Sequence, residues 1–303
     1  MTKNDITRGL IDFAVSQCLK NIKEDPYRSI RRLADLGRQF AKGRFQEELF
    51  SLFQRLLLNE DGPYYEMLKQ LVSSVDTDSL KTLGINIGYN SWTCGASRLR
   101  QITAEKDYPH WLAEISLSPE SSASQLKEQL SAALKNGTYA FRLHLPAQSI
   151  TTDTRQLGLI REFPDCSFFL DFMDTDCTYS DDLLELTCSC DNLAFLVPFG
   201  SLQSRQLVDL LNARQRIYSV CRTYDNTNAA ERISDSQISE MLSWGSPLLF
   251  FLAAADTTQD NRLLVDNAIL DARLHQTYPA LLIHLDADVA RIQQLLLSSR
   301  KNL

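Results

Sequence analysis

The spacing of apolar residues divides the chain into a first part with a helical repeat and a second part with short apolar runs. Ile6, Leu10 and Phe13 begin the repeat, and apolar residues at three- and four-residue intervals continue it to about residue 75. A turn-forming stretch at residues 59–63, with Gly62 before Pro63, interrupts it. No run in this part has the composition of a strand. The pattern therefore predicts a set of amphipathic helices over residues 5–75.

From about residue 110, short runs rich in apolar and β-branched residues alternate with longer amphipathic stretches. This alternation predicts strands separated by helices. Two of the stretches begin with the spacing of a capping box, Ser122 with Gln125 and Ser234 with Gln237, and Gly137 stands where a helix should end. The predicted strands are residues 111–117, 139–145, 167–172, 193–199, 217–221, 248–253 and 281–285.

Alternation of strands and helices indicates a parallel sheet, because parallel strands need long crossover connections. Several of the runs are apolar almost throughout, as is typical of strands covered on both faces. We therefore predict an α/β fold with a partial or complete TIM-like (β/α) barrel at residues 81–303, preceded by an N-terminal helical domain at residues 1–80. A doubly wound open sheet has the same periodicity and is the alternative.

The composition limits the partners and the location that we expect. The chain has 303 residues, 44% of them hydrophobic, which is enough for a large core. Its net charge of −7 argues against a nucleic-acid-binding surface. It contains no run of about 18 apolar residues that would span a membrane, and its start lacks the apolar region of a signal peptide. The seven cysteines are interpreted as reduced thiols, so we expect a cytoplasmic protein.

Several short stretches occur in an order that resembles one known protein family. In the helical part these are residues 62–68 (GPYYEML) and 83–88 (LGINIG). In the barrel part they are residues 109–115 (PHWLAEI), 135–141 (KNGTYAF) and 191–197 (DNLAFLV). Taken together, they resemble bacterial radical SAM proteins with a helical N-terminal extension. The resemblance covers most of the chain and implies an α/β barrel of the radical SAM type.

The residues that carry radical SAM chemistry are missing from the matching positions. After its first strand the family has a C-x3-C-x2-C motif, whose thiolates hold the [4Fe–4S] cluster that binds SAM. This chain has SPESSASQL at residues 118–126, and no C-x3-C-x2-C occurs in it. The Gly-Gly-Glu-Pro type of turn that ends the family's second strand is replaced by RLHLP at residues 142–146. The resemblance therefore implies a degenerate member without the [4Fe–4S] cluster, bound SAM or radical SAM activity.

Two polar residues on the second predicted strand are the first candidates for a site. Arg142 and His144 share one face of this strand because strand side chains alternate, and Leu143 takes the opposite, helix-packed face. In a barrel, Arg142 and His144 would point into the lumen. Glu114 lies within the first strand, and we expect it to pair with Arg142 on the neighbouring strand.

Charged residues near the ends of other strands are further candidates, since barrel enzymes place their sites at the carboxyl ends of the strands. Asp171 and Asp174 belong to the third strand end, Arg222 to the fifth and Asp256 to the sixth. Together with Arg142 and His144, such residues can serve acid–base chemistry or anion binding. The favoured interpretation is an internal salt-bridge network that fills the lumen, because buried charges are usually paired whatever their function.

We expect neither a metal site nor a cofactor. Cys188 and Cys190 are separated by one residue, which is closer than zinc ligands are spaced, and we interpret them as free thiols. His284 has no ligand spacing around it. Asp286 and Asp288 are interpreted as acidic residues in the first turn of the last helix, where such side chains are favoured.

The leading hypothesis for function is a non-catalytic radical SAM-like protein, or pseudoenzyme. It would bind a partner protein or a ligand at the barrel mouth, or serve as an accessory subunit of an active radical SAM relative that docks on the N-terminal helices. The alternative is an enzyme with cofactor-free or metal-assisted chemistry at the barrel mouth, using Arg142, His144, Asp171 and Arg222. Glycine-rich phosphate loops and a G-x-S-x-G elbow are missing from the sequence.

Overall fold

The computed structural model describes most of the chain. The described residues are 3–20, 22–41, 44–102, 109–117, 122–145, 154–172 and 181–298. The candidate Asp174 and the loop residues 118–121 lie outside them.

The N-terminal part is helical, as its apolar repeat predicts, and continues beyond residue 80. Asp25 accepts a hydrogen bond from the backbone N of Arg28 at the start of the second helix, and Asp76 accepts one from Ser79 at the start of the fifth. The helices are α1 (Lys3–Leu19), α2 (Pro26–Phe40), α3 (Arg44–Leu56), α4 (Pro63–Ser74), α5 (Thr77–Ile85), a π-helical segment (Asn86–Gly95) and α6 (Ala96–Ile102).

Seven parallel strands follow, and they form one sheet in the order in which they occur in the chain. They are β1 (Leu112–Ser116), β2 (Ala140–Leu145), β3 (Ser167–Phe172), β4 (Leu193–Pro198), β5 (Tyr218–Tyr224), β6 (Leu248–Ala253) and β7 (Leu281–His284). The predicted α/β class and parallel sheet are thus confirmed. The sequential order rules out a doubly wound sheet, in which the strand order reverses. The sheet curls into a half barrel that ends, within the described part of the chain, at β1 and β7.

Helices cover the convex face of the half barrel. They are α7 (Ala123–Lys135), α8 (Thr154–Gly158) with a 3-10 turn (Leu159–Glu162), α9 (Asp181–Cys188), α10 (Leu202–Ala213), α11 (Ala229–Arg232), α12 (Asp235–Leu242) and α13 (Gln259–His275). Alternate strand residues, among them Phe141, Phe168 and Phe195, pack against these helices in the largest apolar core. Complete burial of one such side chain stabilises the fold by about 1.5–3 kcal/mol.

The predicted helix caps have different outcomes. Ser122 and Gln125 form the predicted capping box at the start of α7. Ser234 is the N-cap of α12, so this helix begins where predicted, but the side chain of Ser234 makes no capping bond. Gln237 instead accepts a hydrogen bond from Arg222. Gly137 follows α7 with a φ of +98°, as expected of a glycine that ends a helix.

The N-terminal helices cover the concave face where the strands begin. Val75 and Leu83, from the α4–α5 region, pack against Ala194 and Ile217 at the starts of β4 and β5. This shared apolar core holds the helical segment against the sheet.

The last helix, α14 (Leu285–Ser298), reaches from the last strand back to the first. The indole Nε1 of Trp111, next to β1, donates to the carbonyl of Val289 at 3.0 Å. The backbone N of Trp111 donates to the side chain of Gln293 at 2.9 Å, and Leu296 packs beside Trp111 and Leu112. Helix α14 therefore bridges the open side of the half barrel.

Candidate functional site

Four polar side chains from β1, β2 and β3 meet on the concave face. In the parallel register, Glu114 lies opposite Arg142, and His144 lies opposite Asp171. All four share one face because strand side chains alternate. The expected pairing of Glu114 with Arg142 is present, at 2.9 Å between Oε1 and Nη1. We call these four residues the concave cluster.

The guanidinium of Arg142 joins two carboxylates in the concave cluster. Its Nε and Nη2 donate to Oδ2 of Asp171 at 3.0 and 2.6 Å, and its Nη1 donates to Glu114. The Arg142 and Asp171 side chains are only 8% and 7% exposed, whereas Glu114 is 53% exposed. The cluster therefore has a buried ion pair inside and a carboxylate at the solvent edge.

His144 lies between the same two carboxylates. Its Nε2 is 3.5 Å from Oε2 of Glu114, and its Nδ1 is 3.2 Å from Oδ2 of Asp171, without the alignment of a hydrogen bond. Burial lowers the pKa of His144, but the contacts with Asp171 and Glu114 outweigh burial and raise this pKa above its usual value. Folding thus favours the imidazolium form of His144 relative to the unfolded chain.

Glu114 is held ionised by its neighbours. The contact with His144 is the largest cause that lowers the pKa of this carboxyl, to about 2, and the charge and hydrogen bond of Arg142 add to it, although partial burial opposes both. At neutral pH Glu114 is therefore a carboxylate, which does not act as a general acid.

A thiol that sequence reasoning missed lies beside the concave cluster. Cys221 is on the concave side of β5, in an apolar group with Leu196, Phe250 and Leu285. Burial, followed by the charge of Asp171, raises the pKa of the Cys221 thiol well above its usual value. The thiol is therefore protonated at neutral pH and is not a nucleophile.

The structure does not bring Arg222 to the concave cluster. Arg222 follows Cys221, so it lies on the convex side of β5, like Val220 and Tyr224 in the helix-packed core. Its guanidinium lies over the ring of Phe199, 4.5 Å from the centroid. Burial, with the nearby charge of Arg232, lowers the pKa of Arg222.

Asp256 does not join the concave cluster in the structure either. It lies exposed after β6, where its backbone carbonyl accepts a hydrogen bond from Asn226 at 3.0 Å. Of the sequence-based candidates, the structure thus brings together Glu114, Arg142, His144 and Asp171.

A second group of polar residues lies on the convex side, and His284 is its centre. The Nε2 of this buried histidine is 2.7 Å from the hydroxyl of Tyr224, and its Nδ1 is 3.5 Å from Asp266. Burial lowers the pKa of His284 despite nearby acidic residues. Its partners are far away in sequence, which explains why His284 looked isolated there.

The acidic residues Asp286 and Asp288 lie in the first turn of α14, as predicted. Asp288 accepts a hydrogen bond from the backbone N of His284 at 3.0 Å. It also forms ion pairs with Arg273 and Arg291, so it ties the start of α14 to α13.

The described part of the chain contains neither a group of metal ligands nor a helix that could cross a membrane. Within it, no three or more His, Cys, Asp or Glu side chains are placed to hold a metal ion. The six cysteines that can be described are free. No helix among these residues has the length and apolar character needed to cross a membrane.

No protein-family model and no curated protein matches this chain. The contacts within the concave cluster define what its side chains can do. They make Arg142 a shared cation between two carboxylates and leave one edge, Glu114, in contact with solvent.

Proposed function

We propose that this protein is a non-catalytic, radical SAM-like half barrel that acts as a binding or accessory protein. The observation that carries this proposal is the pairing of Arg142 with Asp171 and Glu114. In a barrel enzyme the corresponding region holds substrate. Here the guanidinium is already engaged by both carboxylates, which favours a structural role for the cluster.

The connection after β1 does not fit a [4Fe–4S] cluster. Strand β1 ends at Ser116 and α7 begins at Ala123, and residues 117–122 include no cysteine. A C-x3-C-x2-C motif is longer than this connection, and the cluster needs thiolate ligands. The residues present thus support a protein that works without SAM cleavage.

An exposed apolar stripe on α1 supports the binding role. Ile6, Leu10 and Phe13 are 50%, 57% and 64% exposed and recur on one side of the helix. Apolar side chains grouped on a surface are typical of protein interaction sites. In this proposal the partner is an active radical SAM relative that covers the stripe.

Anaerobic reconstitution tests the non-catalytic part of the proposal. We expect the purified chain, incubated with iron, sulfide and a reductant, to gain no stoichiometric [4Fe–4S] cluster and to cleave no SAM. Iron and sulfide analysis and chromatographic detection of 5′-deoxyadenosine are the measurements. A stoichiometric cluster with SAM cleavage would refute the proposal.

Affinity capture from the native cell tests the accessory part. We expect a radical SAM enzyme to be captured by the wild-type chain and by Leu202→Ser, a control at a 70% exposed leucine on α10. Phe13→Ser should lose this partner because it removes the most exposed side chain of the stripe. Equal capture by Phe13→Ser and Leu202→Ser would contradict docking on α1.

One observation favours the alternative of an enzyme. His144 has a raised pKa and lies between two carboxylates near the carboxyl end of β2, an arrangement that suits acid–base catalysis. Arg222 no longer belongs in such a site. A turnover that is present in the wild type and lost in His144→Gln, across a panel of hydrolase, lyase and isomerase substrates, would favour this alternative.

A further inference from the structure

The N-terminal helices line a partly open cavity that is separate from the concave cluster. Its volume is about 340 Å³, within the range of about 300–1,000 Å³ that is typical of small-molecule sites. Side chains of α1 to α5 and the π-helical segment line it, and most of them are apolar, for example Val15, Ile30, Phe50 and Leu68. A well-packed helical bundle has few voids larger than a water molecule.

The polar groups of the cavity wall have partners within the protein. The side-chain amide of Gln46 donates to the carbonyl of Gly88 at 3.0 Å and to Thr93 at 2.6 Å. The ammonium of Lys81 is 3.6 Å from Asp12 and 4.0 Å from Asp78. With two carboxylates near this one ammonium, the described wall offers no net positive charge to an anionic ligand.

Two glycines in the wall border open space. A Cβ added to Gly84 or to Gly88 would meet no atom within 4 Å, and neither residue has a positive φ. Neither backbone conformation nor tight packing therefore explains why these two positions are glycine. A glycine inside a helix also makes the helix less stable than an alanine would. Gly88 also belongs to the π-helical segment, and such segments occur frequently at functional sites.

We propose that this cavity is a binding site for an uncharged compound with a single alkyl chain. The volume corresponds to roughly eleven water-sized groups of about 30 Å³ each, which is comparable to a chain of about ten carbon atoms. The apolar wall suits the chain. Gly84 is exposed to solvent and lies in the wall with Lys81, so this side is the mouth at which a neutral polar head contacts water.

Calorimetric titration of the full chain with 1-decanol and with decanoate tests the proposal. We expect saturable binding of one 1-decanol per chain with a negative heat-capacity change, and weaker binding of decanoate because Asp12 and Asp78 repel its carboxylate. Absence of saturable 1-decanol binding would overturn the site, and tighter binding of decanoate would overturn the uncharged class of ligand.

Three glycine variants show whether the ligand occupies this cavity. Gly84→Leu and Gly88→Leu each place a side chain in the open space, and we expect at least a tenfold loss of 1-decanol affinity with an unchanged or higher Tm. Gly9→Leu is the matched control, because Gly9 is also in a helix with nothing within 4 Å of an added Cβ and does not line the cavity. Equal affinities of all three variants would overturn the assignment. If a cavity variant fails to fold, Gly88→Ala replaces it.

Discussion

At Arg142 a buried guanidinium balances two carboxylates whose exposure differs. Asp171 is nearly as buried as Arg142 itself, whereas half of the Glu114 side chain is in contact with solvent. Water screens the contact with Glu114, so that contact contributes little to stability. The contact with Asp171 is different, because removal of one partner leaves a buried charge without compensation.

Substitution of Arg142 by Met should therefore destabilise the protein strongly. We expect the free energy of unfolding, measured by urea titration, to fall by about 3–5 kcal/mol. The double variant Arg142→Met/Asp171→Leu should recover most of this loss, because it also removes the buried carboxylate that would lack a counter-charge. A single variant within about 1 kcal/mol of the wild type would mean that Asp171 is already satisfied without Arg142.

The free energy of unfolding should depend on pH through the protonation of His144. Its pKa is higher in the folded state than in the unfolded chain, so its contribution is complete below about pH 6.5 and is lost as pH rises through the folded-state pKa. Glu114 acts in the opposite direction. With a pKa of about 2, it stabilises above its unfolded pKa, and this contribution is lost as pH falls toward 2.

His144→Gln should remove the loss of stability at rising pH. Urea unfolding of the wild type and the variant at several pH values between 6 and 9 gives the difference in slope. His284, whose pKa is lowered, makes stability rise with pH in both proteins and so cancels. Parallel pH profiles would show that Asp171 and Glu114 do not hold the imidazolium form.

At the scale of elements, the sequence predicts the sheet better than the site. The runs at 167–172 and 248–253 are strands with the predicted bounds, because apolar runs between turn residues are a local signal. From the sequence alone, Arg222 is predicted at the site. However, Arg222 is two residues from the buried Val220 and from the buried Tyr224, and this spacing puts it on their convex face. The network of His284 depends on contacts between distant segments, and no local pattern predicts those.

One close approach between elements fixes the helical segment on the sheet. An added Cβ at Gly137 would lie 2.7 Å from the carbonyl oxygen of Gly95 and 2.8 Å from Cβ of Arg98. Gly95 ends the π-helical segment, and Gly137 lies between α7 and β2. The backbone at Gly137 therefore has no room for a side chain, in addition to its positive φ.

Gly137→Ala should lose more stability than Gly200→Ala. Gly200 also has a positive φ, +121°, but nothing lies within 4 Å of an added Cβ, so Gly200→Ala measures the backbone strain alone, about 1–3 kcal/mol. The steric overlap at Gly137 should add about 1–3 kcal/mol. Thermal or urea unfolding of both variants checks this. Equal losses would mean that the helical segment moves away without cost.

At the scale of the whole molecule, the helical part and the half barrel share their apolar core. Leu83 packs on Ala194 and Ile217, and Ala96 and Leu99 of α6 pack with Ala140. The starts of the strands are thus buried by residues that come before β1 in the chain. Stability of the sheet should depend on those residues.

A fragment of residues 109–303 should not fold cooperatively. Without the preceding helices, the apolar side chains at the strand starts are exposed to water, which costs the free energy of their burial. We expect no cooperative thermal transition by circular dichroism and strong binding of the dye ANS, in contrast to the full chain. A cooperative transition with near-UV signals like those of the full chain would show that the half barrel is independent.

The bridge that α14 makes to Trp111 has a consequence for protein synthesis. Each of the strands β2 to β7 pairs with the strand that precedes it in the chain, so its partner has already been made when it leaves the ribosome. The partners of Trp111 are different, because Val289 and Gln293 follow it by 178 and 182 residues. The nascent protein therefore exposes this side of its first strand until α14 has left the ribosome.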